Sequence, residues 1–335
     1  MRLLFANPHP YLPDSTSGRD ISIHEQALRW QARSIDVAVF CARAGLGGPF
    51  ERDAAFGYPV YRVATPAAGF GAVLADWKPD IAVYPFGPLS LPLVALGLQA
   101  GVKAVLQVAN VENADSSLLA RPDLALIAVS DFAARRIETL FGIRPLVVPP
   151  LIEPERYRVA APGDAVLLVN PSLRKGVELF FRMAAARPDI PFLAVESWTV
   201  HDAWRTVLMN RARALGNVEL WPPVEDMREA YARARLVLMP SVHEETFGRV
   251  VAEAQLSGIP ALVSDRGALP ETLGGGGIAV PLDAGLDAWL QALDRLWLDP
   301  AFYARCASAA RAESTSTSRD PERISEHFLA ILQRF

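Results

Sequence analysis

The sequence is poor in cysteine, histidine and lysine, and it contains no long apolar run. Its two cysteines, Cys41 and Cys306, lie far apart among 335 residues. They exclude a disulfide framework and a thiolate zinc site, and they fit a reducing cytoplasm. Five histidines show no metal-ligand spacing, and no Asp-x-Asp pair is placed to hold a divalent cation. No stretch approaches the roughly 18 apolar residues of a bilayer-spanning helix. The apolar run in Met1–Pro10 is too short for a signal-peptide core and reads as a first buried strand. A net charge of −4 and a pI near 5.8 argue against a nucleic-acid partner held through phosphates. Residues 1–150 carry thirteen basic and thirteen acidic side chains, so no basic surplus marks an anionic membrane surface. Several nucleotide and hydrolase signatures are also missing. Gly274–Gly277 precedes a strand and lacks the Lys-Ser/Thr of a P-loop. Gly45–Gly48 lacks the dinucleotide spacing, and no Gly-x-Ser-x-Gly elbow occurs.

What is present suits two α/β domains. Hydrophobic residues make up 51% and charged residues 21% of the chain, enough to fill real cores, and the length suits two domains of roughly 150 residues. Strand-length apolar runs at Arg2–Ala6, Ile35–Phe40, Ile81–Tyr84, Ala104–Val108, Leu124–Val129 and Leu146–Val148 alternate with helical stretches such as Arg19–Arg33, Leu89–Ala100 and Asp131–Phe141. The Pro/Gly-rich segments Pro149–Pro154 and Ala160–Gly163 then interrupt the pattern. It restarts at Val166–Val169, Phe192–Val195, Val218–Trp221, Leu236–Met239, Ala261–Val263 and Ile278–Val280. Alternating strands and helices predict parallel sheets covered on both faces. The expected layout is a Rossmann-like domain over 1–150, a second Rossmann-like domain over 164–318 and a C-terminal helix over 319–335 that packs back on the first domain. Ligands would bind in the cleft beyond the carboxyl ends of the strands.

The most informative segment runs from Met239 to Ser264. A strand enters, a polar loop follows, a helix begins near Gly248, and another strand leaves after Gly258. The loop puts Glu245 beside a helix N-terminus, where backbone N–H groups around Phe247, Gly248 and Arg249 can receive a diphosphate. Glu253 lies eight positions on, about two turns away. A bare carboxylate at Glu245 suits sugar hydroxyls, and one at Glu253 suits the two hydroxyls of a ribose. Taken alone, the two acids would read as solvated residues flanking a helix. The string Glu245-Thr246-Phe247-Gly248, followed by Glu253-Ala254 and Ser257-Gly258-Ile259-Pro260, closely resembles the signature of the retaining GT-B glycosyltransferases of family 4. The resemblance implies a sugar contact for Glu245 and a ribose contact for Glu253. Downstream, Gly267 and Pro270-Glu271 resemble the family's Gly-rich turn and Pro-Glu pair near the donor. Glu271 reads equally as an acid stabilised at a helix start.

Only three of the 33 basic residues are lysines, and Lys175 is the sole one in the second half. It closes the strand–loop–helix segment Val169–Gly176, where a fixed cation stabilises a departing diphosphate. Lys175-Gly176 resembles the family's diphosphate-binding Lys-Gly pair. Asn170 stands where the family carries an arginine, with Arg174 as the neighbouring substitute. In the first half, Ser17-Gly18 stands at a Gly-Gly position of the family near the donor. His9 and Asn110, with Glu112 and Asn113, are the acceptor-side candidates, since the loop after Val108 lacks the histidine of many relatives. His24 reads as packed interior and Ser130 as an N-cap or a contact.

The resemblance implies a retaining, metal-independent hexosyltransferase with a GT-B architecture, in which the domain over 1–150 binds the acceptor and the domain over 164–318 the nucleotide sugar. Lys175 and Glu245 are its catalytic residues. Gly18, Arg174, Lys175, Glu245, Thr246, Phe247, Gly248, Arg249, Glu253 and Glu271 bind the donor. A UDP- or GDP-sugar serves as co-substrate and no cofactor is needed. The acceptor would be a glycan, a lipid-linked molecule or a small molecule. Closure about the linker would exclude water. The expected location is cytoplasmic, with room for peripheral contact at the inner face of the membrane. The alternatives are a nucleotide-sugar epimerase on the same fold and a catalytically impaired nucleotide-binding homologue.

Overall fold

The computed structural model describes residues 1–112, 124–161, 163–196 and 201–334. Asn113, Pro162 and Phe335 lie outside the described residues. The chain forms two compact units, one of Met1–Leu151 with Pro321–Phe335, the other of Ile152–Asp320.

The first unit is built on β1 (Arg2–Ala6), β2 (Asp36–Ala42), β3 (Glu51–Asp53), β4 (Val60–Val63), β5 (Ile81–Pro85), β6 (Lys103–Val108), β7 (Leu124–Ala128) and β8 (Leu146–Val147). Their order is β3-β4-β2-β1-β5-β6-β7-β8, parallel except for β3 against β4. Helices α1 (Gly18–Ala32), α2 (Pro66–Trp77), α3 (Leu91–Gln99) and α4 (Asp131–Phe141) cover the sheet. Side chains alternate between two apolar clusters, one on each face: Leu4, Ala38 and Leu106 point to one, Leu3, Val37 and Val105 to the other. That double burial explains the uninterrupted apolar strand sequences. The final helix, Pro321–Arg334, closes the second cluster with Ile324, Phe328 and Ile331. There the Phe328 ring lies 5.1 Å from Trp30, which itself stacks on Phe5 at 5.6 Å.

β3, β4 and α2 are the elements that the sequence pattern does not reveal. β4 contains Arg62, whose charge hides a strand that is buried at all four positions. Its guanidinium is satisfied by Asp53 (2.8 Å) and by the Leu12 carbonyl (2.7 Å). Buried charge is tolerated only with such partners.

In the second unit β9 (Ala165–Val169), β10 (Phe192–Val195), β11 (Val218–Trp221), β12 (Ala234–Met239), β13 (Ala261–Ser264) and β14 (Gly277–Val280) alternate with helices. These are α5 (Val177–Ala186), α6 (Asp202–Leu215), α7 (Met227–Arg233), α8 (Arg249–Gln255), α9 (Leu269–Leu273), α10 (Gly285–Leu298) and α11 (Pro300–Ser314). All neighbours are parallel in the order β11-β10-β9-β12-β13-β14. The order reverses between β9 and β12, and doubly wound sheets bind ligands beyond the carboxyl ends at such a switch. Ile152 and Tyr157, from the Pro-rich segment, pack into this unit's core. No described helix is long and apolar enough to cross a membrane.

Candidate functional site

Two loops meet at the switch point. One leads from β9 to α5 through Asn170–Gly176, the other from β12 to α8 through Pro240–Gly248. Their backbones are joined where the Val242 N–H donates to the Arg174 carbonyl at 2.9 Å. Asn170 has a left-handed backbone, φ +62°, and its N–H donates to the Val195 carbonyl at 2.9 Å. Asparagine enters this region more readily than other non-glycine residues, a backbone reason for Asn170 at this position. Gly176 is left-handed as well, φ +75°, and a Cβ there would collide with the Pro240 carbonyl. The Lys-Gly pair therefore lets the two loops close on each other.

Across that closure the Lys175 ammonium pairs with Glu245 Oε1. The Ser241 hydroxyl donates to the same oxygen at 2.6 Å, and His243 Nε2 lies 3.4 Å from it. His243 Nδ1 faces the Arg174 carbonyl at 3.1 Å. Glu245 is therefore buried in an ion-pair cluster, which corrects the expectation of a bare carboxylate. Burial pushes its pKa up, but Lys175 first and then His243 outweigh this, bringing it from 4.5 to about 2. A third loop supports the carboxylate from behind. Gly267 has φ +66°, and a Cβ on it would overlap the Glu245 backbone. The Ala268 N–H donates to the Glu245 carbonyl at 2.7 Å.

Phe247 and Gly248 lead into α8. Thr272 donates its hydroxyl to the Phe247 carbonyl, and Thr246 is half-buried just before them. Arg319 holds this corner: it donates to the Thr272 carbonyl at 2.6 Å and to Gln255, and its guanidinium stands 6.0 Å from the Phe247 ring centroid. Burial pulls the Arg319 pKa down despite the acids Glu313 and Glu271. Glu271 itself is exposed in the first turn of α9, and the Arg174 side chain is exposed too.

Glu253 sits one turn into α8 and is buried. Arg249 Nε donates to Oε1 and the Tyr231 hydroxyl to Oε2, both at 2.6 Å. Arg249 continues to the Tyr157 hydroxyl at 2.7 Å. Both oxygens already accept protein donors, which corrects the expectation of a bare carboxylate at Glu253 as well.

The remaining candidates lie in the first unit. His9, in the loop after β1, is half-buried, and burial with Arg19 lowers its pKa below 6.5. Gly18 is the first residue of α1, behind the Ser17–Asp20 capping box. Asn110 is exposed after β6 and caps the Glu112 N–H at 2.8 Å. His24 is core, with Nδ1 2.7 Å from the Tyr58 hydroxyl, and Ser130 is the N-cap of α4. Ser241, His243, Tyr157, Tyr231 and Arg319 escaped the sequence reading. Only the first two had a local signal, since both lie within four residues of Glu245.

The profile of the family described as "Glycosyl transferases group 1" matches residues 165–299. A curated relative from Corynebacterium glutamicum, a GDP-mannose-dependent monoacylated alpha-(1-6)-phosphatidylinositol monomannoside mannosyltransferase, is 27% identical over 218 residues, covering 56% of each chain. A D-inositol 3-phosphate glycosyltransferase from Xylanimonas cellulosilytica is 31% identical over 222 residues, 57% of this chain and 52% of that one. The match thus spans about half the length of these two curated relatives. Among solved structures, Anabaena HepE in complex with UDP-glucose superposes with a TM-score of 0.82 at 17% identity, covering 100% of both chains. Sucrose-phosphate synthase from Thermosynechococcus elongatus does so at 0.81 and 16% identity, covering 100% of this chain and 99% of that one. Residues 165–299 of the second unit thus match the group 1 glycosyltransferase profile, and the chain has the fold of the GT-B glycosyltransferases.

Proposed function

We propose that this chain is a retaining, metal-independent glycosyltransferase that moves a hexose-type sugar from a UDP- or GDP-sugar to a glycan, lipid-linked or small-molecule acceptor. The observation that carries this reading is the Lys175–Glu245 pair at the switch point of the second sheet. A nucleotide sugar presents a diphosphate and sugar hydroxyls side by side, and this pair offers a cation and a carboxylate side by side. In this reading Lys175 takes the diphosphate, whose charge grows as the sugar–phosphate bond breaks, so the ammonium stabilises the transition state more than the ground state. Glu245 accepts hydroxyls of the transferred sugar and Glu253 the ribose. Thr246, Phe247, Gly248, Arg249 and Glu271 complete the donor side, Gly18 and Arg174 are assigned to the donor as well, and His9 and Asn110 to the acceptor. The leaving phosphate deprotonates the acceptor on the face it departs from, which retains the configuration.

A thermal-shift screen against UDP, GDP, ADP and TDP identifies the base, because a ligand that binds only the folded state raises the melting temperature. Incubation of the matching nucleotide sugar with and without acceptor glycans then tests transfer. Transfer or slow hydrolysis of the donor supports the reading. Conversion of the donor to an epimer without acceptor replaces it with an epimerase, and tight nucleotide binding with no turnover replaces it with an impaired homologue.

A further inference from the structure

His243 touches both loops of the switch point at once. Nδ1 faces the Arg174 carbonyl, an acceptor, so this nitrogen carries a hydrogen. Nε2 on the opposite side of the ring lies 3.4 Å from Glu245 Oε1, so the ring donates to both acceptors when each nitrogen carries a hydrogen. The ring is largely enclosed, with a side-chain exposure of 18%. Lys175, Ser241 and His243 all converge on Oε1. Two of them are flexible or freely rotating donors, and only the imidazole is a rigid plane anchored at its far side to the other loop. A carboxylate turns easily about its last torsion, which is broad and roughly two-fold.

Resting on the glycosyltransferase reading, we infer that His243 is a positioning residue for Glu245. It fixes the carboxylate with Oε1 toward the protein donors and leaves Oε2 to the hydroxyls of the transferred sugar. It also holds the Arg174–Lys175 turn at a set spacing from that carboxylate. Because the ribose is assigned to Glu253 and the sugar hydroxyls to Glu245, His243 acts on turnover more than on nucleotide affinity.

Two substitutions separate the two ends of the ring. H243N keeps an N–H donor near the Nδ1 position, and with it the link to Arg174, but loses the reach to Glu245. H243Q carries an amide to the Nε2 position. H243N is expected to bind the nucleoside diphosphate within about twofold of wild type and to lose about tenfold or more in kcat, with H243Q recovering most of it. In an E245Q background H243N should cause no further loss, since its effect runs through the missing carboxylate. Unchanged kcat in H243N, or a full additional loss on top of E245Q, overturns the inference. The same cycle read by thermal denaturation tests the contact without catalysis. If the wild-type protein turns over no nucleotide sugar, the functional reading fails. The positioning contact then stands on non-additive melting shifts and falls on additive ones.

Discussion

Replacing Lys175 with alanine tests the site where it is most constrained. In the folded protein Glu245 titrates near 2 rather than 4.5, with Lys175 first among the groups that lower it against burial. That depression corresponds to roughly 3 kcal/mol. Ser241 and His243 also contact the Glu245 carboxylate, so Lys175→Ala should remove only part of this, about 2 kcal/mol of stability at neutral pH. For a unit of this size that lowers the melting temperature by roughly 4–8 °C. The pH dependence has a definite sign. A carboxylate whose folded pKa lies below its unfolded value stabilises the fold above pH 4.5, and this is lost as pH falls through about 2. Melting curves of wild type and variant at pH 7, 4 and 3 should therefore draw together across that window. The Lys175→Ala/Glu245→Gln double variant should be less destabilised than Lys175→Ala, because no uncompensated charge remains buried. A melting difference that stays constant from pH 7 to pH 3 would falsify the ion-pair account. For catalysis, Lys175→Ala should lower kcat/KM by about two orders of magnitude or more, roughly 3 kcal/mol. Lys175→Arg should recover only part, because a planar guanidinium places its charge differently.

Glu253→Gln should weaken nucleotide affinity about tenfold, as a charged acceptor for ribose becomes a neutral one. It is cleaner than alanine because it keeps an acceptor for Tyr231 or Arg249, and wild-type affinity would sink the ribose assignment. Gly267→Ala should cost at least about 1–2 kcal/mol for the left-handed backbone alone. It should also slow turnover, because its Cβ displaces the segment that holds Glu245. Equal melting temperature and turnover in the variant would show that this turn does not brace the carboxylate. Activity should survive EDTA. Complete loss on chelation, restored by Mg²⁺ or Mn²⁺, would end the metal-independent reading.

The parallel sheets were legible because strands buried on both faces are written as apolar runs, as in β9 and β10. β4 was not, because Arg62 breaks its run and finds its partners in Asp53 and in Leu12, fifty residues away. The candidate site shows the same division. Lys175, Glu245, Gly248 and Glu253 stand in strings with recognisable spacing, so the sequence exposes them. Tyr157, Tyr231 and Arg319 reach Glu253, Arg249 or Phe247 only through the fold, and single-chain periodicity carries no trace of such contacts. Asn170 is intermediate: an apparent departure from the family in sequence, it becomes intelligible once its φ of +62° is known.

What sequence spacing could not supply is the pairing of the two catalytic candidates. Read separately, Lys175 belongs to the diphosphate and Glu245 to the sugar, while in the fold each is the other's counter-ion. Under the proposed function this pairing bears on which ligand the site accepts. A nucleoside diphosphate alone would draw Lys175 toward its phosphates and leave Glu245 short of its main partner in a buried place, which is costly. An intact nucleotide sugar engages both at once, its diphosphate taking up the ammonium and its hydroxyls donating to the carboxylate. Donor is thereby favoured over the nucleotide product by the cost that the product cannot offset. That difference promotes product release, and it vanishes in Glu245→Gln.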